Sequence, residues 1–447
     1  MYRLLIIAFA FAACSRPVPR RMQLEPLASI GAGLGGEFAG GDAGPPCAVA
    51  ADQRAVFLGW RAALAGYEIV ACDPDGRPLW SHHHGPHLSG VRSLAADGNT
   101  VFVLADADGT KIYRLNATTG TVLPWEGHAE SDLAILSFWG DDKTKIDRAD
   151  SITADNGRLY VTFGADGFIA VLDAKTGAYL TTLTAPEPGQ MSFSTTPMRD
   201  PKTGAERPID FGIAAIGGNG LAYFIMEHEP PWVMMSTTRW LQEDERITAL
   251  TRVGDTMKSA DLTIYTALGA PHHQVQLRPV DAAESFATSV GKPGGRVEPG
   301  PWQPNALRDI RALAVDATGQ LWIAEGDEKF GRFTVWKTNG KEGTLIREII
   351  GPLDSATLHV DAANPLDIAL GGLRWQVVGT TAKCVERLAE MPAPSQAPAE
   401  LHDAKGNVLW APPENERAAW SVHRGSDGRV FAFRRDTGVE VFALREH

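Results

Sequence analysis

The densest chemistry in this chain lies in Ser81-His-His-His-Gly-Pro-His87, four imidazoles within six positions. Neutral imidazole is a ligand of Zn²⁺ and Cu²⁺, and two or three from one loop could open a metal site. Adjacent side chains of an extended loop point apart, which makes His82, His84 and His87 the set for one ion. Pro271-His272-His273 could add ligands from elsewhere in the fold. The plainer reading is a solvated polar loop, since no carboxylate or cysteine stands beside it. Asp106-Ala-Asp-Gly109 has the start of a calcium loop without the later Glu, and a simple turn is expected there. A divalent metal, zinc or calcium, is thus the one cofactor left open.

A second constellation is charged. Arg92, Arg148, Asp150, Asp210, Arg308, Asp309 and Arg311 stand beside the starts of apolar segments. Gathered around one channel mouth, they could give a small polar ligand convergent donors and acceptors. Ion pairs between neighbouring sheets are the bland reading of the same residues. Other chemistries lack their motifs: there is no GxSxG, no HExxH and no phosphate-binding Gly-Lys-Ser/Thr. His228-Glu229 runs into two prolines, which break the helix a zinc protease needs. The net charge of −12 argues against a nucleic-acid binder, which needs a basic face for phosphates, and suits solubility.

The elements that must position these residues are repeated hairpins. One phrase, an apolar alternation, a Gly-marked turn and a second alternation, occurs at 93–104, 151–162 and 311–324. The first two copies continue into Lys111-Ile-Tyr-Arg-Leu-Asn-Ala-Thr-Thr-Gly120 and Gly167-Phe-Ile-Ala-Val-Leu-Asp-Ala-Lys-Thr-Gly177. Such a unit cannot bury its own apolar face, so copies must stack. Weaker units are read at 213–226 and 248–289, and further ones at 55–80, 309–350, 357–378 and 407–443. Leu94 to Ile152 spans 58 residues and Ile152 to Ile213 spans 61, longer than a usual propeller blade of about 40–50. A linear solenoid would need polar caps, whereas a closed ring leaves only short edges. The fold expected is all-β, a seven-bladed or eight-bladed β-propeller over residues 46–447. Trp60, Trp80, Trp322, Trp336, Trp375, Trp410 and Trp420 fall at strand positions and should pack between blades. Helical windows are scarce, Ala382–Met391 being the best short one.

Residues 1–14 combine Arg3, an apolar run from Leu4 to Ala13 and Cys14. The run is too short to span a bilayer as a helix and suits an export signal. Phe11-Ala12-Ala13-Cys14 resembles a bacterial lipobox, apart from Phe where Leu is usual. That resemblance implies lipidation at Cys14, and Ser15 beside it fits outer-membrane retention. Cleavage after Ala-Phe-Ala, releasing a soluble protein, is the competing outcome. Residues 15–45, rich in Pro, Gly and Arg, read as a flexible tether. Cys47, Cys72 and Cys384 leave at least one thiol unpaired in an exported chain. A bridge between Cys47 and Cys72 is doubtful on non-adjacent strands.

Ile310-Arg-Ala-Leu-Ala-Val-Asp-Ala-Thr-Gly-Gln-Leu-Trp-Ile-Ala-Glu325 resembles an NHL repeat. Leu172-Asp-Ala-Lys-Thr-Gly177 and Ala71-Cys-Asp-Pro-Asp-Gly-Arg-Pro-Leu-Trp80 resemble outer strands of quinoprotein-like (PQQ-type) blades, the second one residue short of that family's tryptophan-docking motif. Glu348-Ile-Ile-Gly-Pro352 and Gly372-Leu-Arg-Trp375 are similar to secreted NHL-type propellers. The resemblance is one of scaffold and does not carry function. It implies a monomeric, exported binding or assembly platform in the periplasm or outer membrane, held to the membrane only by its lipid. Its partner would be an envelope protein or a small polar ligand. The enzymatic alternative is a metal-dependent NHL-type lyase or a redox or hydrolytic enzyme at the channel mouth. A quinone dehydrogenase is disfavoured by the lack of adjacent cysteines. The blurred stretch from Met191 to Pro304 and the His loop are where a specialised surface would lie.

Overall fold

The computed structural model describes residues 22–30, 43–127, 149–184 and 272–446, with short interruptions, and between them strands at 134–135, 211–216, 222–226, 233–234, 240–241, 245–251 and 263–268. Residues 1–21, including Cys14, lie outside it. The described chain is all-β; its only helical turns are short 3-10 segments at Ser355–Thr357 and Glu414–Ala419. Antiparallel sheets of consecutive strands follow one another along the chain, falling at 43–84, 88–135, 151–184, 211–241, 245–290 and 310–350. They are called the first to sixth sheets. A seventh, at 359–387, takes in Gly300–Pro301 as an extra edge strand. The eighth holds Trp420–Arg424, Val430–Arg434 and Val439–Glu446, with Met22–Ile30 paired to the last of these.

Two-residue periodicity dictates these strands. In Leu373–Val378 burial alternates residue by residue, apolar in and polar out. The recurrent hairpins need a backbone that turns back within two residues. Gly98, between paired Asp97 and Thr100, supplies φ +59 at the first central position, where a side chain would be strained. The longer turns carry their own cap. Asn116 Oδ1 accepts the amides of Thr118 and Thr119 at 2.8 and 3.1 Å, and Asp173 Oδ1 does the same for Lys175 and Thr176 at 3.0 and 2.8 Å. These bonds hold the Asp173 carboxyl below the usual carboxylate range.

Apolar faces pair sheet with sheet. Phe57, Ile69 and Ala71 of the first pack with Val101, Val103 and Leu115 of the second. Phe102, Leu104 and Ile112 continue onto Leu159, Val161 and Leu172 of the third. The other face of the first sheet, with Val56, Leu58 and Val70, meets Trp322, Phe333 and Val335 of the sixth. The sixth in turn meets Val275 and Val290 of the fifth. First strands succeed one another side by side through all six sheets, and Ile310–Val315 of the sixth lies beside Ala43–Ala51 of the first. The seventh and eighth sheets instead pack on each other, Leu370, Leu373 and Trp375 against Phe431, Phe433, Val439 and Val441. Each fully buried side chain of this size contributes about 1.5–3 kcal/mol.

Three expectations are corrected. Ala382–Met391 is not helical: Thr381–Arg387 is a strand paired to Leu373–Val378, because the turn at Gly379 folds it back onto an apolar partner. Residues 15–45 are not all tether, since Met22–Ile30 finds an open edge at the C-terminal strand and buries Ile30. The histidine cluster does not lie wholly in a loop, because His82 and His84 belong to strand Pro78–His84. Among the tryptophans, Trp322, Trp336, Trp375 and Trp420 are buried as expected. Asp106 and Ala107 pair with Thr110 and Gly109 at the ends of adjacent strands, and Asp108 between them lies outside the described residues.

The interface of the last two sheets holds an ionisable group. His423 stands edge-on to Phe433 at 5.1 Å between ring centroids, and its buried Nε2 has no hydrogen-bond partner. Burial, with Arg435 and His359 nearby, pulls its pKa down to about 4. The folded state thus resists protonation that the unfolded chain accepts near pH 6.5. Stability is full above about pH 6.5 and is lost as pH falls towards 4, by about 1–2 kcal/mol after screening of a partly exposed ring. Urea titrations at pH 7.5 and 5 should show this gap, and His423→Gln should narrow it. An unchanged gap in that variant rejects the assignment.

Candidate functional site

The structure builds two features from the elements above: an interlock between neighbouring sheets and a buried ionic network. The interlock begins with Trp80 on the outermost strand of the first sheet. Its indole N–H donates to Ala117 O at 2.8 Å, in the turn of the second sheet. The ring also covers Gly120, where a Cβ would come within 2.5 Å of it. The second sheet reaches the third in the same way: Glu126 N and Arg114 Nη1 both donate to Lys175 O, at 3.0 and 2.8 Å. The Arg114 guanidinium lies 5.1 Å above the buried Trp125 ring. Between sixth and first, Arg347 lies against Gly76 of the Asp73–Gly76 turn. At these three junctions one sheet grips the turn of its neighbour.

The ionic network sits where the sixth sheet begins its first strand. Glu325 and Arg332 face each other across the hairpin of Leu321–Gly326 and Gly331–Thr338. Their side chains are 1 % exposed and 2.5 Å apart. Arg332 Nε reaches Glu348 at 2.6 Å, and its remaining N–H groups donate to Ala306 O and Pro304 O. Arg296 bridges Glu298 at 2.7 Å and Glu325 at 3.5 Å. Arg387 of the seventh sheet lies 3.8 Å from Glu298 and over Phe330. Trp302, capped by the guanidiniums of Arg296 and Arg332, donates to Glu348 at 3.2 Å. Burial pushes the Glu325 carboxyl up, against the pull of Arg332 and Arg296. For Arg332, burial acts against the charge, but Glu325 and Glu348 outweigh it and raise its pKa. The network couples the sixth sheet to the seventh.

Of the channel-mouth candidates, Arg308 and Asp309 fall on the rim of this network. Arg308 donates its amide to Glu325 at 2.7 Å, while its guanidinium lies 3.5 Å from Glu298 and 3.8 Å from Asp309. Arg92 donates to Ala149 O at 2.9 Å, joining the second sheet to the entry of the third. Arg311 lies on Ile310–Val315; Arg148, Asp150 and Asp210 lie outside the described residues. His82 and His84 sit two apart on an outermost strand, and His87 lies outside the described residues. Among the described residues no three potential ligands converge on one point.

The network's core was missed in the sequence. The available signal was the symmetry of the hairpin, which puts Glu325 opposite Arg332 at the ends of two apolar strands. Cys72 and Cys384 are free; Cys72 donates to Val56 O, and burial pushes its thiol up to about 12, unsuited to redox chemistry.

Comparison with known proteins agrees with the quinoprotein-like part of the resemblance. Residues 65–202 match the family described as outer membrane protein assembly factor BamB. No curated protein matches by sequence. Among solved structures the chain is similar to the WD40 repeats of RRP9 (13 % identity, TM-score 0.39), covering 95 % of this chain and all of that one. It is similar also to the WD40 β-propeller domain of Doa1 (10 %, 0.37), over 93 % and 96 % of the two chains. The designed protein Ika8 gives 14 % and 0.37, over 94 % and 99 %. The described chain is thus all-β, with a PQQ-like family match over residues 65–202.

Proposed function

We propose that this chain is an exported, lipid-anchored propeller that serves as an assembly scaffold for outer-membrane proteins. The match of residues 65–202 to an outer membrane protein assembly factor carries the reading. The grip of Trp80 on the Ala117–Gly120 turn supports it, because an interlocked scaffold presents a rigid surface. The propeller comprises six blades between residues 43 and 350. In support, first strands return from Ile310–Val315 to Ala43–Ala51, and Arg347 reaches the Gly76 turn. The seven or eight blades read from spacing counted the last two sheets, whose mutual packing supports a separate two-sheet layer. Cys14 carries the lipid and holds the protein in the periplasm at the outer membrane.

Deleting the protein should lower the levels of outer-membrane β-barrel proteins several-fold. Wild type should restore them, and Cys14→Ser should restore them less. Unchanged barrel levels would reject the scaffold reading.

The alternative is a metal-dependent enzyme, favoured by the placement of His82 and His84 two positions apart on one strand. It predicts stoichiometric zinc in pure protein, abolished by the triple change His82→Ala, His84→Ala and His87→Ala. Metal-free wild type after purification without chelator would sink it.

A further inference from the structure

The tether expected over 15–45 is interrupted at Met22, and this fixes which end of the molecule a lipid anchor would hold. Met22 is paired with Glu446 at one end of the eighth sheet, and Ile30 with Val439 at the other. From Cys14 to Met22 the chain is eight residues, which span at most about 28 Å when extended. The strand then covers about 27 Å from Met22 to Ile30.

The Ile30 end faces the propeller-like part. Ile30 and Val439 share one apolar cluster with Trp302, Phe330, Ile350 and Leu353 beside the sixth sheet. The Met22 end faces away from it. Its neighbours are the Gly425–Arg429 turn and the seventh sheet's far turn, where Ser426 Oγ donates to Ala363 O at 2.9 Å and Gly425 packs on Pro365. The layer is fastened to the six sheets by backbone and charge together. Pro301 pairs with Glu386, Trp302 N donates to Val385 O at 2.9 Å, and Arg387 meets Glu298.

We propose that the seventh and eighth sheets form a pedestal standing on the lipid surface. They hold the six-sheet body a strand's length above the membrane, with its Gly98, Gly157, Gly177 and Gly319 turns pointing outward. The proposal rests on lipidation at Cys14.

The test uses full-length lipidated protein in vesicles of phosphatidylethanolamine and phosphatidylglycerol that carry a lipid-bound energy acceptor. A donor is placed through an azido amino acid at Glu446 or at Lys175, leaving the native thiols untouched. Arg445 replaces Glu446 if that variant misfolds. Transfer should be several-fold stronger from position 446 than from 175. Equal transfer, or the reverse order, in protein that incorporates palmitate overturns the pedestal while leaving the anchor intact. Failure of wild type to incorporate palmitate, with Cys14→Ser behaving identically, overturns the anchor and the pedestal with it.

Discussion

Arg332→Met should destabilise the folded protein by about 3–5 kcal/mol, because it strands the buried Glu325 charge and removes the partner of the half-buried Glu348. The loss exceeds what methionine's own packing can return. Removing one end of a buried pair strands the other, whereas removing both ends together is far milder. The double variant Arg332→Met with Glu325→Met should therefore be more stable than Arg332→Met alone, with a coupling above about 1 kcal/mol. Denaturant unfolding of wild type, the two singles and the double measures this. Additive losses would mean that the two groups do not act as a pair. The network also joins two sheets through Glu298 and Arg387. Arg332→Met should thus speed proteolysis at the boundary between the sixth and seventh sheets.

Gly120→Val should cost about 2–5 kcal/mol, the sum of a left-handed backbone penalty and overpacking. Gly120 sits at φ +70, and its missing Cβ leaves the space that the Trp80 ring fills. Gly98→Val is the control: its φ of +59 is equally unsuited to valine, but nothing lies within 4 Å. It should lose only the backbone share, about 1–2 kcal/mol. Adding Trp80→Ala should relieve part of the Gly120→Val loss and none of that at Gly98. Equal losses at the two glycines would show that the indole does not seat against this turn.

The hairpins were legible because their signals are local. Alternation in Ser93–Leu104 and the Asp-Gly-Asn between its halves needs no knowledge of the rest of the chain. Trp80 could be placed on a strand, but its partner turn is 37 residues away in sequence and no local signal names it. The pairing of Glu325 with Arg332 was readable from hairpin symmetry. Its links to Arg296, Glu348 and Arg387 were not, since no local period joins them. Arg308 and Asp309 drew notice because charges beside a first strand are conspicuous, but their contacts to Glu298 and Glu325 carry no local signal. Spacing could not separate the six sheets whose first strands lie side by side from the seventh and eighth, since all are built from the same antiparallel unit. The strand at Thr381–Arg387 was missed because Ala, Lys, Glu and Arg favour helices in isolation, and tertiary pairing overrode them.

The pairing of Met22–Ile30 with Val439–Glu446 sets an order of assembly. The first strand of the described chain waits for the last one made, across roughly four hundred residues whose loop closure costs about 5 kcal/mol of chain entropy. Until Val439 is in place, an apolar N-terminal segment stays open beside whatever edge it meets. The eighth sheet is therefore the final element to close. A chain truncated before Val439 keeps its first six sheets but loses the partner of its own beginning.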